Sequence, residues 1–138
     1  MNASLYSRFL ELRPMNVMNA LPGSRCALVS GRDIARVAEE NHAIVMACNI
    51  RNPLSALGIL TAAKKADSFV LLELAKSETT YTGVNFVNLP SLATSYSSML
   101  GDGVVFSLHM DHFAIKSSDD LKDAVRVVPD AISRGWTS

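Results

Sequence analysis

Val104-Val105-Phe106-Ser107-Leu108-His109-Met110-Asp111-His112 is an apolar, β-type run that ends in two imidazoles and a carboxylate. Strand ends ordinarily close with turn-forming residues such as Gly, Asn or Pro. This one closes with groups that bind metal and move protons. Two runs of the same kind lie upstream, at 43–49 (Ala-Ile-Val-Met-Ala-Cys-Asn) and 69–74 (Phe-Val-Leu-Leu-Glu-Leu). Near-continuous apolar character of this length marks strands buried on both faces of a parallel sheet.

Helical patterns separate the runs. Ser30-Gly31-Arg32-Asp33 precedes Ile34, Val37 and Ala38, an apolar stripe at offsets of three and four. Asn52-Pro53 opens a helix whose inner side is Leu54, Leu57, Leu60 and Ala63, with Lys64, Lys65 and Asp67 outside. Residues 85–99 read as a weak helix, since Asn88, Pro90, Thr94 and Ser95 lower its propensity. Gly101-Asp102-Gly103 turns into the strand at 104–108. Ser117-Ser118-Asp119-Asp120 caps a further helix with Leu121, Ala124, Val125 and Val128 inside, and residues 135–138 approach another strand.

Strands alternating with helices imply parallel pairing through right-handed crossovers. No G-x-G-x-x-G follows any strand, so a dinucleotide-binding doubly wound sheet loses support. Polar residues close three successive strands: Asn49, Glu73, then Asp111 with His112. Groups converging at strand C-termini favour a barrel mouth. The expected fold is α/β: residues 27–138 form the first part of a TIM (β/α)8 barrel, about three βα units plus the start of a fourth strand. Residues 1–26 read as a helical appendage. Leu5, Phe9 and Leu12 make a short amphipathic stripe, Arg13-Pro14 ends it, and Leu21-Pro22-Gly23-Ser24 is turn chemistry. The appendage is expected to cap the bottom of the barrel or a neighbouring subunit, with disorder as the alternative.

Composition bounds the function. Thirteen acidic residues balance thirteen basic ones, which argues against nucleic acid as partner, since its binders carry a basic excess on one face. No polybasic patch marks a membrane surface, and no apolar run reaches the length of a span. Cys26 and Cys48 are too far apart for a C-x-x-C motif and fit a reducing compartment. The segment 1–18 carries Arg8, Glu11 and Arg13 among its apolar residues and lacks a signal-peptide core. The expected location is the cytoplasm.

In an extended strand His109 and His112, three apart, face opposite sides. His112, beyond the apolar run, is the better ligand candidate, and Asp111 beside it can exchange a proton near an ion. Such a pair suits retro-aldol chemistry, in which a hydroxyl proton is removed and a C–C bond breaks. A strand-end cap or a simple polar pair remains the alternative. Glu73 inside an apolar strand must be paired, protonated or turned to a polar interior; Lys76, three residues on, is a candidate partner. Asn49 and Ser77 are candidate substrate hydrogen-bonders. His42 precedes a strand at the opposite end and reads as a surface or core-edge residue.

Taken in order, Leu28-Val29-Ser30-Gly31, then 43–49, then Ala62-Ala63-Lys64-Lys65-Ala66-Asp67-Ser68-Phe69-Val70, then Leu108-His109-Met110-Asp111-His112-Phe113-Ala114 resembles the class II, metal-dependent fructose-bisphosphate aldolases over residues 27–138. The resemblance implies a (β/α)8 barrel that cleaves a ketose bisphosphate, fructose 1,6-bisphosphate first, into dihydroxyacetone phosphate and an aldehyde. It implies Asp111 as the catalytic acid/base, His112 as a zinc ligand and Asn49 beside the substrate. It also implies Zn2+ or another divalent ion, a monovalent cation, and a dimer or tetramer. Where the family commonly has Gln and, two residues later, Ser near the substrate, this sequence has Glu73 and Ala75. The remaining zinc ligands, phosphate loops and monovalent-cation site belong to the second half of the family's barrel. The expectation is therefore an N-terminal half, inactive alone, whose C-terminal half comes from the same or a separate chain. The competing expectations are a non-catalytic half-barrel subunit and a regulatory or binding module.

Overall fold

The computed structural model describes all residues, Met1 to Ser138. The elements are α1 (Ala3–Glu11), α2 (Met15–Ala20), β1 (Ala27–Leu28), α3 (Gly31–Glu40), β2 (Met46–Asn49), α4 (Pro53–Lys65), β3 (Phe69–Ala75), a 3-10 turn (Lys76–Thr80), α5 (Leu89–Leu100), β4 (Val105–Asp111) and α6 (Ser118–Ser133). The chain is α/β, with a four-stranded parallel sheet of βα units of the kind found in a partial (β/α)8 barrel. No helix is long and apolar enough to cross a membrane.

Local sequence sets the helix boundaries. Asn52 Oδ1 accepts the Ser55 N–H at 3.0 Å and Pro53 occupies the first turn of α4, so the helix starts with one orphan donor satisfied and none wasted on Pro. At α6, Ser117 Oγ accepts the Asp120 N–H, and Asp119 and Asp120 lie in the first turn, where the helix dipole favours negative charge. Helix α5 begins at Leu89 rather than Asn85. Asn85 Oδ1 accepts the Val87 and Asn88 N–H groups, and Asn88 Oδ1 accepts the Asn85 N–H, a local alternative to helical bonding.

The sheet order is β1-β4-β3-β2. Strand β1, absent from the expected elements, is only two residues long; Ala27 and Leu28 pair with Val105 and Phe106. Further along the same edge of β4, Thr137 N and Ser138 N donate to Leu108 O, and Met110 N donates to Ser138 O. Strand β2 lies at the other edge with no strand outside it. Ile44 is 92% exposed and Met46 and Ala47 are exposed as well, so this run is not buried on both faces as its apolar character suggested. Strand β4 runs three residues beyond the expected 104–108, because β3 pairs with it as far as Ala75 and Asp111.

One face of the sheet holds the main core: Leu28, Val70, Leu72, Leu74, Phe106 and Leu108, packed with Leu60 of α4, Leu89 and Ala93 of α5, and Trp136. The other face carries a smaller cluster in which Ala27, Val29 and Val105 meet Tyr6 of α1 and Ile34 of α3. Phe9 meets Phe69 edge-on there at a centroid distance of 5.5 Å. Residues 1–26 are tied to the rest of the chain. Val17 lies in the main core, Asn16 Nδ2 donates to the Ile132 and Trp136 carbonyls, and Tyr6 Oη donates to Arg25 O while accepting from Ala27 N.

That hydroxyl satisfies a buried N–H and a carbonyl at the start of β1. Tyr6→Phe leaves both without this partner and is expected to cost about 1–3 kcal/mol. The urea midpoint should fall with an unchanged m-value; an unmoved midpoint would show that α1 does not depend on this contact.

Candidate active site

Register brings the polar strand ends together. Asn49 of β2 pairs with Glu73 of β3, Glu73 pairs with His109 of β4, and Ala75 pairs with Asp111. Side chains two apart in a strand share a face, so Glu73, His109 and Asp111 stand on one side of the sheet at its C-terminal end. Their ligating atoms all lie within 4.8 Å of one another, and all three residues are half-buried. Burial, and next the Asp111 carboxylate, push the Glu73 carboxyl above its ordinary range, while His109 draws it back.

His109 stands in this group because the strand has not ended where the sequence suggested. His109 Nδ1 lies 3.2 Å from Ser138 Oγ. His112 follows the strand with φ +49° and its side chain is 84% exposed. That left-handed conformation turns the chain, and the Ala114 N–H closes the turn onto the His112 carbonyl. His112 Nε2 lies 3.7 Å from Asp111 Oδ1.

A second network holds Asn49. Glu78, on the 3-10 turn after β3, is only 5% exposed. It accepts from Asn49 Nδ2 at 3.1 Å, Arg51 Nε at 2.8 Å and Ala75 N at 3.2 Å. Burial raises its carboxyl, but the Ala75 N–H, the Arg51 guanidinium and the Asn49 amide outweigh that effect and hold it below the usual carboxylate range. Lys76 does not pair with Glu73; it reaches α6, with Nζ 3.0 Å from Asp123 and 3.5 Å from Asp120. Ser77 is exposed on the 3-10 turn, and its carbonyl accepts from Thr80 Oγ1. His42 is exposed beyond the end of α3.

The sequence reading therefore named Glu73 and Asp111, weighed His109 but preferred His112, and missed Glu78 and Arg51. His109 was within reach of a parity argument, since it stands two residues before Asp111 in the same strand. Glu78 gave no signal, being one acid in a Ser- and Thr-rich connection.

One imidazole and two carboxylates form a donor set suited to a divalent first-row ion. The charges fit as well: the Asp111 carboxylate adds to the burial that raises the Glu73 carboxyl, and Lys76 and Arg51 bond to other carboxylates. A cation among these three side chains would relieve that repulsion. Without one, the same groups can take up or release protons beside a bound molecule.

This architecture sets one imidazole and two carboxylates, donors a metal ion could use, at the C-terminal ends of parallel strands. The sequence model of the family described as fructose-bisphosphate aldolase class-II matches residues 29–138, and the chain belongs to that family. Its members are metal-dependent lyases that bind sugar phosphates. No curated protein sequence matches the chain.

Glu78 gives the site a measurable acid sensitivity. A carboxyl lowered by folding stabilises above its unfolded pKa, near 4.3, and that contribution is lost as pH falls through the folded value. Glu78→Gln is expected to cost about 1–3 kcal/mol at pH 7, with the difference from the parent shrinking as pH drops through the carboxylate range. Urea midpoints from pH 7 to 3 test this; a pH-independent difference would mean the charge contributes nothing.

Proposed function

We propose that this chain forms part of an enzyme for zinc-dependent, reversible aldol cleavage of a ketose bisphosphate, fructose 1,6-bisphosphate first, giving dihydroxyacetone phosphate and an aldehyde. The observation that carries this reading is Asp111 beside His109 and Glu73 on a parallel-strand C-terminus, in a chain of the class II aldolase family. Asp111 is the acid/base: its carboxylate takes the proton of the hydroxyl next to the scissile C–C bond. The C–C bond then breaks: the hydroxyl carbon becomes the aldehyde, the electron pair passes to the substrate carbonyl as an enediolate, and the proton held on Asp111 is delivered to the former carbanion carbon to give dihydroxyacetone phosphate. Zinc, when bound, supplies an electrophile for that carbonyl.

His112 is a zinc ligand in this reading, supported by an exposed ring 3.7 Å from Asp111. Glu73 and His109 offer further donors. Asn49, held by Glu78, is a substrate hydrogen-bonder, and Glu73 and Ser77 are further substrate-binding residues in this reading. The rest of the barrel, including further zinc ligands and phosphate loops, comes from outside these 138 residues, on the same or a separate polypeptide. Residues 27–138 form the N-terminal half and residues 1–26 its helical appendage. A homodimer or homotetramer in the cytoplasm, with a monovalent cation at the phosphate-binding side, completes the proposal.

Asp111→Ala in the complete assembly, compared at equal zinc content checked by elemental analysis, should lower kcat by about 10²–10⁴-fold. Full turnover in that variant would overturn the role of Asp111. An unsubstituted assembly with bound zinc and no aldol cleavage would point to a non-catalytic half-barrel subunit or a binding module.

A further inference from the structure

Arg51 is the one basic side chain hydrogen-bonded into the network that holds Asn49. It sits in the short connection from β2 to α4, between two fixed neighbours. Ile50 is fully buried with its N–H on the Glu73 carbonyl, and Asn52 caps α4. The guanidinium spends one donor: Nε bonds Glu78 Oε1 at 2.8 Å, while neither Nη group has a hydrogen-bond partner and the side chain is 66% exposed. Because Glu78 is buried and held by two other donors, its carboxylate is not free to follow Arg51 into water. The arginine is therefore anchored by its inner nitrogen, with the outer part of its fork unoccupied.

Two other basic groups of the chain are more fully engaged. Lys76 is shared between Asp120 and Asp123, and Arg134 holds Asp130 through both Nε and Nη2. A guanidinium presents five N–H donors in a rigid plane that matches the oxygens of a phosphate. Bidentate contacts of that kind are strong and directional.

We propose that Arg51 is an anion-binding residue at the rim of this site, taking a phosphate group of a phosphorylated ligand, with Glu78 as its positioning residue. That the ligand is a sugar phosphate rests on the reading given above; the phosphate contact itself does not depend on it.

Inorganic phosphate is the probe, titrated into the 15N-labelled 138-residue chain while the Arg51 Nε–Hε resonance is followed. A saturable shift is expected, absent with chloride at equal ionic strength. Arg51→Ala should raise the dissociation constant for phosphate by about tenfold or more, and Arg51→Lys should restore it only in part. Glu78→Gln, whose amide oxygen can still accept from Arg51, should weaken binding less than Glu78→Ala. No saturable response at Arg51, or unchanged phosphate affinity in Arg51→Ala, would overturn the proposal. Phosphate binding at Arg51 in an assembly that fails to cleave a ketose bisphosphate would sink the aldolase reading and leave this one standing. Cleavage with an unchanged KM in Arg51→Ala would do the reverse.

Discussion

The pairing of β3 with β4 is the constraint on which the site depends. All seven residues of β3 lie in parallel register with β4, from Phe69 beside Val105 to Ala75 beside Asp111. That register puts Leu72 and Leu74 on the same side as Phe106 and Leu108, facing the helices, and Glu73 on the same side as His109 and Asp111. A slip by one residue would turn every side chain of a strand to the other face. It would bury Glu73 among leucines and expose the core. The hydrophobic core thus selects the register, and the register assembles the polar cluster as a consequence. Stability and chemistry are set by one choice and cannot be tuned separately at these strands.

Two glutamates five residues apart illustrate how position decides the state of a carboxyl. Glu78 is the more deeply buried, yet three donors keep it charged, so its contribution to stability is present at neutral pH and lost in acid. Glu73 is half-buried, and that burial, with Asp111 beside it and fewer donors to offset it, raises its carboxyl. A raised acid favours the fold below its unfolded pKa and loses that advantage as pH rises through the folded value. The first glutamate fixes the end of β2 onto the end of β3. The second stores repulsion at a place where a cation or a proton can relieve it. Structural and chemical roles are divided between them: burial acts on both, and the hydrogen-bond donors present at Glu78 and missing at Glu73 decide the difference.

Much of the fold was legible because the signals were local and strong. Apolar runs marked β3 and β4, and Asn52-Pro53 and Ser117 marked the starts of α4 and α6. Strand β1 was missed because two residues, Ala27 and Leu28, are too few to show a period. The start of α5 was placed too early because the side chains of Asn85 and Asn88 compete with the helix for backbone N–H groups. At the site, Asp111 and Glu73 stood out as charges against apolar strands. His112 was preferred because it lies beyond the apolar run; pairing with β3 carries β4 on to Asp111 and keeps His109 on the same face as Glu73. Glu78 and Arg51 were invisible for a different reason. Their partners are 29 and 27 residues apart along the chain, and only the adjacency of β2 and β3 brings them together.

Why the chemistry sits at one end of the sheet follows from how its second face is covered. Toward the strand N-termini that face is apolar, with Ala27, Val29 and Val105 buried and Phe69 and Leu71 half-buried where α1 and α3 pack on it. Gly31, the first residue of α3, makes the closest approach. A Cβ there would meet Ser107 Oγ at 2.8 Å and would also meet Ser138 Oγ, so a side chain at this position would push the helix off the strand. The next residue on that face of β4 is His109, and beyond it Asp111, both only half-buried. The helices therefore clamp the lower half of the face and leave the upper half accessible. A rigid apolar base beneath a polar rim holds three ionisable groups close together without shutting them away from water, the condition under which a carboxylate can both bind and transfer a proton.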